Sequence, residues 1–162
     1  MGEGTAFEHR TMAQRVLFGS GAAAAHLREE VRRRGAPRVM AIVTLSAAEA
    51  GRRLLDGVAV VAWFDGAAQH VPVETAERAR AVAGASGADL LVCVGGGSAI
   101  GVAKAVALTA SLPIVAVPTT YSGSEATPVW GLTDQGRKTT GTDASVLPET
   151  VIYDADLTLS LP

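Results

Sequence analysis

Three glycines and a serine, Gly95, Gly96, Gly97 and Ser98, follow the unbroken apolar run Leu90 to Val94, and a helical pattern opens at the serine. A buried strand, a tight turn and a helix start are thus written consecutively. Without a Cβ, each glycine lets the backbone bend sharply and lets a ligand come up to the amides. Ser98 is placed to cap the helix. The first amides of that helix lack intrahelical acceptors, and its dipole puts roughly half a positive charge there, so a phosphate or pyrophosphate is the natural occupant. The spacing is neither G-x-G-x-x-G nor G-x-x-x-x-G-K-[ST], and a strand followed by GGGS serves an ordinary tight connection as readily as a phosphate cradle.

Other side chains with chemical potential cluster downstream. The segment PTTYSGSEATP, from Pro118, packs hydroxyls, Gly123 and Glu125 into a loop with no apolar face. Glu125 reads more readily as a structural hydrogen-bond acceptor than as a general base. Tyr121 is a weaker candidate for the border of a substrate crevice. Lys104 lies one or two turns into the helix, where an exposed or rim position is as natural as an approach to phosphate. The one cysteine, Cys93, sits inside the apolar strand and reads as an inert core residue; no internal disulfide is possible, which suits a reducing compartment. His9, His26 and His70 are scattered and make no ligand-spaced pair, so no metal is expected.

The elements that must hold these residues alternate in type. A short strand is expected over 16–19, a helix over 22–34 ended by Gly35, and a strand over 39–43. Ser46 and Glu49 form an S-x-x-E capping box for a helix over 47–56. The run Val58 to Phe64 is apolar without alternation, as in a strand buried on both faces. A helix between Pro72 and Ala85, the glycine turn with its strand and helix, and a strand over 114–117 follow. Short connections between alternating strands and helices mark an α/β unit with a Rossmann-like parallel sheet and helices on both faces. Ligands in such sheets sit beyond the carboxyl ends of the strands, where Gly95 to Ser98 and Pro118 to Ser124 both begin. The stretch VWGLTDQGRKTTGTD adds a β-hairpin around an Asp134 to Gly136 turn, and a last strand is expected over 151–153. The first fifteen residues are polar and weakly patterned.

At 162 residues, 48% hydrophobic and 19% charged, the chain has enough apolar matter for one domain and one core. Its net charge of −2 argues against nucleic acid or an anionic membrane surface as partner. The run Arg32 to Arg34 precedes Gly35 at a helix end, where cations complement the carbonyl dipole. No apolar run approaches the roughly 20 residues of a membrane span, and the amino terminus lacks a signal-type apolar region. A soluble, cytoplasmic protein is expected. The apolar ending Leu159 to Pro162 carries no cap, and a longer parent sequence is expected.

GGGSAIGVAKA, PTTYSGSEATPVWGLT, GRKTTG and VLPETVIYDADLTLSLP together resemble the amino-terminal domain of the iron-containing alcohol dehydrogenase family, and within it the maleylacetate reductases. The resemblance runs from residue 16 to the last residue. It implies a dehydroquinate-synthase-like amino-terminal domain over 1–162, with the family's helical second domain absent. It also implies reduction of the carbon–carbon double bond of maleylacetate to 3-oxoadipate, with NADH or NADPH as cofactor. By motif, Gly95, Gly96, Gly97 and Ser98 would hold the pyrophosphate, while Thr119, Thr120 and Ser122 would bond the cofactor from the next loop. Lys138 would reach the ribose, although by spacing alone it is equally a solvated hairpin lysine. Many family members carry Asp where Gly101 stands, and often an acidic residue after the second strand, where Thr44, Leu45 and Ser46 stand here; nothing there repels a 2′-phosphate. A homodimer is implied, with a small organic-acid substrate only once the second domain is present. The alternatives are a non-catalytic nucleotide-binding or assembly module and a metal-dependent alcohol dehydrogenase of the same family.

Overall fold

The computed structural model describes residues 11–35 and 37–161, so most of the polar amino-terminal stretch, with His9, lies outside them. In chain order the elements are β1 (Arg15–Phe18), α1 (Ala23–Arg33), β2 (Val39–Val43), α2 (Ala48–Leu54), β3 (Val60–Phe64), α3 (Val73–Ser86), β4 (Leu90–Gly95), α4 (Gly97–Ala110), β5 (Ile114–Pro118), β6 (Val129–Asp134), β7 (Arg137–Thr142) and β8 (Thr150–Tyr153). Six strands form one parallel sheet in the order β1-β8-β5-β4-β2-β3. The other two, β6 and β7, form a separate antiparallel hairpin.

Every residue of β2, β4 and β5 is buried, which is why their sequences VMAIV, LLVCVG and IVAVP show no polar alternation. The side chains still alternate between faces. Met40, Ile42, Leu91, Cys93, Ile114 and Ala116 pack with α3 and α4 on one side. Val39, Ala41, Val43, Leu90, Val92 and Val94 pack with α1 and α2 on the other. The expected architecture, helices on both faces of a parallel sheet plus a hairpin, is the one observed. The hairpin turns through Gln135 and Gly136, both at positive φ (44° and 78°), the geometry whose twist matches a two-residue connection.

Two local expectations are corrected. Strand β3 is an edge, paired only with β2, so Val61 and Trp63 face outward at 42% and 36% exposure instead of being buried on both faces. The guanidinium of Arg52 covers the Trp63 ring at 5.2 Å. The capping box at Ser46 does not form, because the chain enters α2 through a 3-10 turn at Leu45–Ala47 and places Ser46 inside that turn. Its hydroxyl lies 3.2 Å from that of Thr44, and Glu49 pairs with Arg53 instead.

Two carboxylates join the first elements to the last. Asp154, just after β8, accepts the amides of Gly21 and Ala23 at 2.8 and 2.9 Å, supplying the cap that α1 lacks locally. Glu30 on α1 is 1% exposed and accepts from Arg33, Arg34 and Thr150 at 2.7–3.0 Å, with Arg15 at 3.3 Å. Burial opposes its charge, but the hydrogen bonds from Arg33, Thr150 and Arg34 prevail and hold its pKa at about 2, against 4.5. Replacing it by glutamine, Glu30→Gln, should cost about 2 kcal/mol near neutral pH. That is less than the loss of a fully enclosed pair, because Arg15 and Arg33 are half exposed. The folded pKa lies below the unfolded one, so this contribution is complete above about pH 4.5 and fades as pH falls toward 2. Urea unfolding at about pH 7 and about pH 3 should show the gap between parent and variant narrowing in acid; a constant gap would contradict the assignment.

Candidate functional site

The order of the sheet reverses between β2 and β4: the chain goes outward from β2 to β3, then returns to place β4 on the other side of β2. The loops that leave the carboxyl ends of β2 and β4 part there and open a crevice. At its floor β4 ends in Gly95, whose φ of +149° only glycine adopts without strain. Gly96 occupies the cap position of α4, and among the described residues no side chain caps the helix start. Ser98 was expected to cap; because the helix starts at Gly97, Ser98 falls within the first turn. The consequence is an uncapped, positively polarised helix start at the bottom of the crevice.

Hydroxyl groups close around the three glycines. A Cβ added to Gly96 would stand 2.9 Å from both Oγ1 and Cγ2 of Thr120, one on Gly97 3.3 Å from Oγ of Ser122, and one on Gly95 3.1 Å from Oγ1 of Thr44. Two cavities are lined by this turn or by the loops around it. One, about 260 Å³, is lined by Gly97, Ser98, Gly101, His70, Trp130 and Lys138 among others. The other, about 410 Å³, is lined by Ser46, Arg53, Thr119, Thr120, Asp156 and Leu157 among others. Of the residues singled out from sequence, Gly97, Ser98 and Lys138 line the first cavity, Thr119 and Thr120 line the second, and Ser122 lies against Gly97.

Lys104 departs from its expected exposed or rim position: it is 1% exposed. Its Nζ donates to the carbonyls of Ser124, Thr127 and Val129 at 2.6, 2.7 and 2.8 Å, with the Thr127 hydroxyl at 3.2 Å. Burial pulls its pKa from 10.5 to about 8, with the nearby Glu125 carboxylate pulling the other way. An ammonium with three donors so engaged holds a loop and has none left for a phosphate. Glu125 is a structural acceptor for the Tyr153 hydroxyl at 2.9 Å, and burial together with that bond raises the phenol to about 12. Tyr121 is 82% exposed and borders a small cavity with Phe18 and Tyr153, away from the one that holds Lys138. Cys93 is fully buried, and burial pushes its thiol up to about 12, in keeping with an inert core residue.

Sequence reasoning missed His70 and Val71. Both have positive φ (62° and 44°), costly for a β-branched valine. Thr133 of the hairpin holds them there, its amide donating to the Val71 carbonyl at 3.0 Å and its hydroxyl to the His70 carbonyl at 2.7 Å. Val71 is thereby wedged onto α4, with Cγ2 2.6 Å from where a Cβ on Gly101 would stand. Gly101 is glycine because Val71 occupies its side-chain space. The only trace of this in the sequence is Pro72, which marks a helix start without betraying the strained turn before it. Among the described residues no three His, Cys, Asp or Glu side chains gather as for a metal, and no helix is long and apolar enough to cross a membrane.

Residues 13–155 match the family model of the iron-containing alcohol dehydrogenases, and the chain belongs to that family of oxidoreductases. The maleylacetate reductase of Burkholderia cepacia is 46% identical to it over 159 residues, which are 97% of this chain and 45% of that protein. An iron-containing alcohol dehydrogenase from Corynebacterium glutamicum superposes with a TM-score of 0.93 at 56% identity, covering 99% of this chain and 45% of the other. A sulfoacetaldehyde reductase from Bifidobacterium kashiwanohense, solved in complex with NAD+, gives a TM-score of 0.86 at 26% identity, covering 98% of this chain and 49% of the other. The chain thus spans about half the length of the relatives it matches.

Two substitutions probe this architecture. Lys104→Met should cost about 2–4 kcal/mol and speed amide exchange over 124–129, since three part-buried carbonyls lose a charged donor; unchanged exchange there would refute the clamp. Gly101→Ala should cost about 1–3 kcal/mol by driving a methyl into Val71. Adding Val71→Ala should return part of that loss in thermal unfolding, and strictly additive losses would show that the two residues are not coupled.

Proposed function

We propose that this chain is the cofactor-binding part of an NADH- or NADPH-dependent maleylacetate reductase, which converts maleylacetate to 3-oxoadipate in the breakdown of aromatic compounds. The observation that carries this reading is the uncapped start of α4, ringed by Thr44, Thr120 and Ser122, with one cavity lined by Gly97 and Ser98 and another by Thr119 and Thr120. A dinucleotide has that form: two nucleosides on either side of a pyrophosphate. The glycines fit it, because without a Cβ at Gly96 the Thr120 side chain closes onto the turn whose amides would face the pyrophosphate.

In this reading the amides of Gly97 and Ser98 hold the pyrophosphate, and Ser122 adds a hydroxyl beside Gly97. Lys138 donates from the hairpin to the ribose on the first-cavity side. Thr119 and Thr120 bond the adenosine side. The nicotinamide supplies the hydride when bound, and the protein's part is to fix its position. The substrate, a small organic acid, is held with help from a second domain, and the full-length protein works in the cytoplasm as a homodimer. Support comes from the maleylacetate reductase of Burkholderia cepacia and from the NAD+ complex of the Bifidobacterium reductase.

A second reading, a metal-dependent alcohol dehydrogenase, draws on the 56% identity to the Corynebacterium protein. The metal requirement of the full-length protein, assayed with maleylacetate and with simple alcohols, separates the two.

Titration calorimetry of this chain with ADP-ribose, NADH and NADPH tests cofactor binding. Saturable binding by all three is expected, with ADP-ribose retaining most of the affinity. Gly96→Val should abolish it, because the added side chain displaces Thr120 from the turn, while the φ of −83° admits an L residue and limits the folding cost to that displacement. Equal binding by parent and variant would remove the pyrophosphate from this turn.

A further inference from the structure

Lys138 is tied through the hairpin to a second basic side chain. Its register partner across the hairpin is Thr133, and Thr133 is the residue that grips the turn before α3. The Thr133 hydroxyl donates to the His70 carbonyl at 2.7 Å, and its amide to the Val71 carbonyl at 3.0 Å. One pair of hairpin residues thus brings His70 and Lys138 to the same cavity. We propose that the His70 imidazole receives one carboxylate of the substrate, and so selects an acid over an uncharged unsaturated ketone. The proposal rests on the maleylacetate reductase reading above and names the residue of this chain that reads the substrate's charge.

The charges of the cavity favour an anion. Among the described residues that line it, none is Asp or Glu. The uncapped start of α4 adds positive potential at Gly97 and Ser98. Of the basic groups in the lining, Lys104 spends its protons on the carbonyls of Ser124, Thr127 and Val129. Lys138 lies along its own hairpin, with Cε 3.2 Å from the Cβ position of Gly131, and serves the ribose in the reading above. His70 remains, exposed and lining the same space. An imidazole keeps an N–H donor in either of its charge states, which suits it to a carboxylate.

The backbone argues in the same direction. Glycine would take a φ of 62° without strain, and Val71 by itself supplies the wedge against Gly101, so packing asks for no side chain at 70. A histidine stands there nonetheless, on a turn that two hydrogen bonds hold in place. Maleylacetate carries a carboxylate at each end, and reduction of its double bond leaves both intact. A contact to one of them is therefore equal before and after hydride transfer, and its loss falls on binding rather than on turnover.

The test is steady-state kinetics of the full-length protein with maleylacetate and its dinucleotide cofactor, joined by calorimetric titration of 3-oxoadipate into the protein saturated with the oxidised cofactor. His70→Ala should raise the KM for maleylacetate and the Kd for 3-oxoadipate about tenfold each, the scale of one charge-assisted contact. Its kcat and its KM for the dinucleotide should stay within about twofold of the parent. His70→Arg, which returns a charged donor to the same turn, should recover most of the loss. A KM for maleylacetate unmoved in His70→Ala, a KM for the dinucleotide that rises in step, or an arginine variant no better than the alanine one would overturn the seat while leaving the reductase reading intact. A parent that does not reduce maleylacetate overturns that reading, and the seat with it.

Discussion

The site is held together by one buried ammonium. Lys104 rises from α4 and takes the carbonyls of Ser124, Thr127 and Val129, so the helix that begins at the glycine turn is fastened to the loop that leaves β5 and to the first residue of the hairpin. Thr119, Thr120 and Ser122 stand at one end of that loop, and Lys138 on the strand the hairpin returns. A lysine so enclosed gives up much of its hydration, and the cost is offset because three carbonyls converge on it. Without it, Gly95 to Ser98 would remain a well-made turn with nothing fixed opposite.

The second constraint is steric and works through what is missing. Gly96 and Gly97 admit Thr120 and Ser122 to within contact of the backbone, and Gly101 admits Val71. Each absent Cβ brings a neighbouring loop closer to α4 than any side chain would allow. The helix is accordingly buried along most of its length by alanine, valine and glycine, and the hairpin reaches it through Thr133 and the strained His70–Val71 turn. Small residues here serve proximity between chain segments as much as any ligand.

Much of this was legible from the order of residues. Continuous apolar runs at 39–43, 90–94 and 114–117 announced buried parallel strands, because burial on both faces erases alternation. The turn at Gly95 to Ser98 and the threonines after β5 were visible as ends of such strands. What escaped was set by partners far away in sequence. Lys104 cannot be told from a surface lysine until the carbonyls of 124–129 are known to converge on it. The edge position of β3 follows from strand order, which no local pattern encodes, and Ser98 lost its capping role through a one-residue shift in where α4 begins. Val71 at positive φ depends on two hydrogen bonds from Thr133, about sixty residues later.

The pairing of β1 with β8 sets the order in which the molecule can become itself. Val16 and Leu17 find their sheet partners only in Val151 and Ile152, and α1 receives its amino-terminal cap only from Asp154. A ribosome therefore releases the first strand, and the helix that packs on β2, long before β8 and Asp154 exist to pair and cap them. Four central strands can zip together around α4 while β1 waits without its partner strand. Contacts of such wide sequence separation are slow to close, and the late docking of β8 is the step at which synthesis, chaperone and fold must meet.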